Sequence, residues 1–72
     1  MIGTKNNMRE NNLKSLRTAA GLSQSQLAEA SGVSVRAIQS YEQGWRSLQN
    51  VPYSTVTALA EALKIEPKKL IE

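Results

Sequence analysis

An all-α fold is what this sequence of 72 residues predicts, and three observations carry the expectation. Ser23 followed three residues later by Gln26 is a capping-box pattern that opens a helix. Gly21, Gly32 and Gly44 each stand where a helical stripe stops, the place where a chain commonly leaves a helix through a left-handed residue. Between and beyond those glycines, apolar residues recur at spacings of three and four, the period that puts them on one helix face.

The elements follow in order from that punctuation. A first helix is expected over about 11–20, with Leu13, Leu16 and Ala20 inward and Gly21 as its stop. The second opens at Ser23 and buries the adjacent pair Leu27 and Ala28. Gly32 ends it, and Val33 turns inward to plug the corner. Ser34 caps a third helix, expected over about 34–43, whose stripe is Ile38 and Tyr41 and whose end is Gly44. Two short helices joined this tightly meet at a steep angle. The connection WRSLQNV has no clear helical periodicity, after which Pro52 is suited to the first turn of a fourth helix, where its missing amide costs nothing. Val56, Leu59, Ala60 and Leu63 form that helix's buried stripe. Pro67 opens a short fifth helix whose Leu70 and Ile71 fold back over the core. Internal repeats and low-complexity segments are absent.

Length and composition bound the function. A chain this short is expected to be one domain, burying roughly 60% of the surface its unfolded form exposes. With no cysteine there is no disulfide framework and no thiolate zinc site, and no stretch approaches the ~18 apolar residues of a membrane span. The opening MIGTKNN lacks the apolar core of a signal peptide, so a cytoplasmic setting is expected. A net charge of +3 suits a polyanionic partner without establishing one. Without His or Cys, and with six acids scattered singly, the sequence offers no nucleophile–base pair, phosphate loop or metal-ligand cluster. No catalytic residue, metal or cofactor is therefore expected.

The segment 23–44, SQSQLAEASGVSVRAIQSYEQG, is the informative one, because the second of its two helices carries polar residues where duplex DNA can be read. Gln24, Leu27, Ala28, Gly32, Val33, Ser34, Ile38, Tyr41, Glu42 and Gly44 together resemble the helix-turn-helix of the phage repressor and Cro-like regulators, the XRE family. The resemblance extends to residues 13–22, similar to that family's first helix and turn, and to 55–71, similar to its two closing helices. It covers about 60 of the 72 residues, far more than a lone motif match would. It implies a compact five-helix lambda-repressor-like domain over 9–72, preceded over 1–8 by a flexible extension. That extension can alternatively serve as a basic arm, for which a single lysine is thin support.

The resemblance also implies roles for individual residues. Val35, Arg36 and Ser40 would point into the major groove. Arg36 has the chemistry for two parallel bonds to guanine O6 and N7, or for a phosphate; Val35 can pack on a thymine methyl, and Ser40 needs a close approach or a bridging water. Ser40 can equally be a solvated helix residue. Gln39 can reach either a base or the backbone. Phosphate contacts are expected from Gln24 and the free amides at its helix start, from Ser34, and from Arg46 and Asn50 in the connection, with simple solvation as the alternative for the last two. Arg17 and Glu42 would pair, mostly buried, tying the first helix to the end of the third; otherwise both are solvated. Trp45 either packs over Leu48 as a loop anchor or stays exposed for a dimer contact or for stacking on the sugar-phosphate chain; the resembled family more often has a polar or basic residue there.

The function expected on these grounds is a sequence-specific regulator of transcription, a repressor, binding double-stranded DNA as a homodimer on a near-palindrome, prokaryotic or phage-encoded and nucleoid-associated when bound. The dimer would use the edge of the fourth and fifth helices or the Trp45 loop, and can be one that forms only on DNA. The alternative is a protein-interaction module, such as an antitoxin or adaptor, in which the five helices hold a protein partner.

Overall fold

A computed structural model describes residues 12–71, and among them every regular element is helical. Helix α1 runs Leu13–Ala19, α2 Gln24–Ser31 and α3 Val35–Glu42. A 3-10 turn covers Leu48–Asn50, then α4 spans Tyr53–Leu63 and α5 Lys68–Ile71. This is the five-helix, all-α architecture that the sequence predicts. The extension expected over 1–8 lies outside the described residues.

The capping chemistry explains why the central pair starts and stops where it does. Ser23 accepts from the Gln26 amide at 3.0 Å while the Gln26 side chain accepts from the Ser23 amide at 2.8 Å, so two otherwise unpaired donors are satisfied reciprocally. Gly32 takes φ 78°, a left-handed conformation that ends α2 without a side-chain penalty. Ser34 then accepts from the Ala37 amide at 3.1 Å and opens α3.

One cluster forms the core: Leu13 from α1, Leu27 from α2, Ile38 and Tyr41 from α3, Leu48 from the 3-10 turn, Val56, Leu59, Ala60 and Leu63 from α4, and Leu70 from α5. Five of these side chains, Leu13, Leu27, Ile38, Leu59 and Leu70, are essentially fully buried. Helix α2 packs against both α3 and α4, and α3 packs against α1, so α4 backs the first helix of the motif and α1 the second. The short C-terminal helix is also fastened by polar bonds: Asn12 Nδ2 donates to the Lys69 carbonyl at 2.7 Å, and Gln49 Nε2 to the Ile71 carbonyl at 3.1 Å.

The structure departs from the sequence-based expectation in three places. Ala20 is exposed, because α1 ends at Ala19 and Ala20 is its cap ahead of the left-handed Gly21. Pro52 is the N-cap of α4 and stands one residue before the helix, instead of within its first turn. The connection does hold a helical turn, too short for periodicity to show, and it delivers Leu48 to the core at 3% exposure. Of the two alternatives for Trp45, the exposed one is what the structure has, with the residue 73% exposed. The amides of Trp45 and Arg46 both bond back to the Ser40 carbonyl, at 3.0 and 3.3 Å, and Gly44 takes φ 81°, so the chain turns sharply there.

Candidate nucleic-acid interface

Helix α3 has two faces of opposite character. Ile38 and Tyr41 are buried, while Arg36 and Gln39 are exposed on the other side, with Val35 and Ser40 half-buried at the margins. The buried pair therefore seats the helix, and Arg36 and Gln39, three apart, lie together on its open face. Ser34, at the N-cap, is exposed, but its hydroxyl already accepts from the Ala37 amide.

The end of α3 is tied to the rest of the domain by a polar chain across three helices. Arg17 on α1 donates from Nε to Glu42 Oε2 at 2.6 Å and from Nη2 to Oε1 at 3.0 Å, a two-pronged contact, and its Nη1 donates to the Leu22 carbonyl at 2.8 Å. The Arg17 and Glu42 side chains are only 12% and 4% exposed. Gln24, at the start of α2, donates from Nε2 to Glu42 Oε1 at 3.0 Å, and Gln39 Nε2 donates to Gln24 Oε1 at 3.4 Å. Burial by itself would push the Glu42 carboxyl up. The bonds from Arg17 and Gln24 and the positive charges of Arg17 and Lys14 outweigh burial and hold the carboxyl below its ordinary value. Arg17 is held above its own ordinary value, chiefly by its hydrogen bond to Glu42.

Of the residues singled out from the sequence, the structure thus brings Arg17, Gln24, Gln39 and Glu42 into one network and leaves Arg36 free on the surface beside it. Arg46 and Asn50 stand apart in the connection, both exposed; the Arg46 guanidinium lies 5.9 Å from the centre of the Tyr41 ring, a cation–π contact. Sequence reasoning missed two features. One is the Gln24–Gln39 bond, which depends on how two helices lie side by side and has no linear signature. The other is Tyr53, 65% exposed at the start of α4, an aromatic whose helical spacing to Val56 gives no hint that it faces outward. No described helix is long and apolar enough to cross a membrane, and the described residues hold no cluster of acids suited to a metal.

Comparison with known proteins agrees with the geometry. The family model described as helix-turn-helix (HTH_3) matches residues 13–70. No curated protein matches the chain. Among solved structures, the restriction-modification controller protein C.AhdI from Aeromonas hydrophila is similar, with a TM-score of 0.74 and 43% sequence identity over 83% of this chain and 86% of that one. The capped pair α2 and α3, the helices that back them and the extent of the family match lead to one assignment: the chain belongs to the helix-turn-helix family, as an XRE-type DNA-binding regulator and not an enzyme.

Proposed function

We propose that the protein is a sequence-specific repressor of transcription that places α3 in the major groove of double-stranded DNA and binds as a dimer on a near-palindromic operator. Residues 9–72 form the working domain, with 1–8 as an extension, and the protein acts in the cytoplasm of a prokaryotic cell. Its likeness to C.AhdI suggests that the genes it controls belong to a restriction-modification system.

The observation that carries the reading is the exposure of Arg36 and Gln39 on a helix whose opposite face is locked into the core. A rigid backbone that presents exposed polar side chains is what base reading requires. Val35, Arg36, Gln39 and Ser40 are assigned to bases. Gln24, Ser34, Arg46 and Asn50 are assigned to phosphates, Gln24 through the amide hydrogen that Glu42 does not take and the unpaired amides at the start of α2. Arg17 and Glu42 are assigned a structural role. A second reading, a module that holds a protein partner, is favoured by the two exposed aromatics Trp45 and Tyr53.

Selection from random duplex DNA, followed by titration of the winner and a scrambled duplex at two salt concentrations, separates the readings. The regulator should bind a palindromic winner at least ~1,000-fold tighter than the scramble. Its log K should fall by about 0.9 per phosphate contact for each tenfold rise in salt. Weak, equal binding to both duplexes would favour the protein-holding module.

A further inference from the structure

The glutamine pair that joins α2 to α3 has a polarity, and Glu42 sets it. The Glu42 carboxylate can only accept hydrogen bonds. Its Oε2 takes Arg17 Nε at 2.6 Å, and its Oε1 takes Arg17 Nη2 and Gln24 Nε2, each at 3.0 Å. A Gln24 amide turned the other way would set its carbonyl oxygen against the carboxylate, so the nitrogen must face inward and the oxygen outward. That oxygen is what α3 meets, and Gln39 Nε2 donates to it at 3.4 Å. The second amide is oriented in turn. Gln39 commits one N–H to Gln24 and keeps its other N–H and its carbonyl oxygen free, on an exposed side chain beside Arg36.

We propose that Gln39 is a specificity-determining residue that selects adenine at one position of each half-site, and that Gln24 is its positioning residue, transmitting the polarity of Glu42. The inference rests on the DNA-reading function proposed above and narrows it. In the major groove adenine sets a donor, its N6 amine, beside an acceptor, N7, and an amide presenting one acceptor and one free donor satisfies both. Guanine offers two acceptors, so the Gln39 oxygen would face O6 without a proton between them. Cytosine and thymine each allow one bond only. Holding the amide in place through Gln24 removes the need to order it on binding.

The test is selection from random duplex DNA by the wild-type chain and by Gln39→Ala, Gln39→Glu and Gln24→Ala variants. Wild type should hold adenine at one position per half-site, preferred by roughly 5- to 150-fold. Gln39→Ala should erase the preference at that position and keep the others. Gln39→Glu should move it to cytosine, whose N4 amine donates to a carboxylate. Gln24→Ala should reduce the adenine preference at the same position severalfold, beyond any uniform weakening. Because Gln39 is exposed, its variants alter the base choice without disturbing the core, whatever the fate of the Gln24 variant. The proposal is overturned if Gln39→Ala leaves every position unchanged. It is also overturned if Gln24→Ala weakens all sequences alike with the adenine preference intact, as a pure phosphate contact would. A wild-type chain that selects no site at all would sink the DNA-reading function and this inference with it, which is a different result from a selected site indifferent to Gln39.

Discussion

Three nitrogens converge on the carboxylate of Glu42, one from Gln24 and two from Arg17, and that convergence makes this acid a structural centre of the domain. Removing one partner of a buried pair leaves the other desolvated and uncompensated, which typically costs about 3–5 kcal/mol. Glu42→Ala should fall near the lower end, because Arg17 keeps the Leu22 carbonyl and retains some access to water. Denaturant titration measures this, and a loss under ~1 kcal/mol would mean the pair behaves as a surface ion pair. The pH dependence has a definite sign. A carboxyl depressed in the folded state stabilises above its unfolded value, and the contribution is lost as pH falls through the folded one. Wild-type stability should therefore decline as pH drops below the ordinary 4.5 of a glutamate, and Glu42→Gln should flatten that part of the curve. A curve of unchanged steepness in the variant would assign the acid sensitivity elsewhere. Arg36, by contrast, is exposed and makes no structural bond among those described. Arg36→Ala should leave folding intact and cost about 1–3 kcal/mol of discrimination at one base pair; unchanged selectivity across a randomised library would remove Arg36 from the base-reading set.

At the scale of elements, helix ends hold the instructive contrast. Those that follow a side-chain rule were legible: Ser23 with Gln26, Gly32 and Ser34 define the turn of the motif by local chemistry that needs no knowledge of the rest of the fold. Features that depend on what lies opposite were not. Ala20 carries the right spacing for α1's inner face yet falls outside, and Leu48 reaches the core from a three-residue 3-10 turn that no periodicity could register. Of the candidate site, the polar residues of α3 could be picked out from their places along the helix, whereas the Gln24–Gln39 bond is a property of two helices side by side. Lys64 is a further case. It ends α4 with φ 61°, the single non-glycine among the described residues at positive φ, where a side chain costs roughly 1–2 kcal/mol. The residue is exposed, so Lys64→Gly should relieve the backbone and lose no packing. Set against the greater entropy glycine brings to the unfolded chain, the net gain should be about 0.5–1 kcal/mol. A variant no more stable than wild type in thermal melting would show that the left-handed cap is not strained.

For the whole molecule the decisive quantity is how much DNA one copy can read. Helix α3 has eight residues, so at a rise of ~1.5 Å each it is about 12 Å long and overlies roughly four base pairs. Four positions cannot single out an operator in a genome, and the discrimination of about 4–10 kcal/mol that regulators reach requires a second reading head. Two copies related by a twofold axis would place their α3 helices in successive major grooves on one side of the duplex, about 34 Å apart. Spacing then becomes a sharp test, because the distance along the axis and the rotation around it change together. Adding ~5 base pairs between half-sites lengthens the separation by about half a turn and rotates the second half-site to the far side of the duplex. Affinity should fall to that of a single half-site, and the salt slope should roughly halve as the second set of phosphate contacts is lost. Adding about ten base pairs restores the face but leaves a gap that two small domains in direct contact cannot bridge, so binding should stay weak. Electrophoretic mobility of the complexes on the three duplexes reads both outcomes at once, because a dimer and a monomer migrate differently. If the complex keeps its affinity and mobility at every spacing, each half-site is bound independently. Specificity would then have to come from elsewhere, and the second reading, a module that holds a protein partner, would be the one to test, starting from the exposed Trp45 and Tyr53.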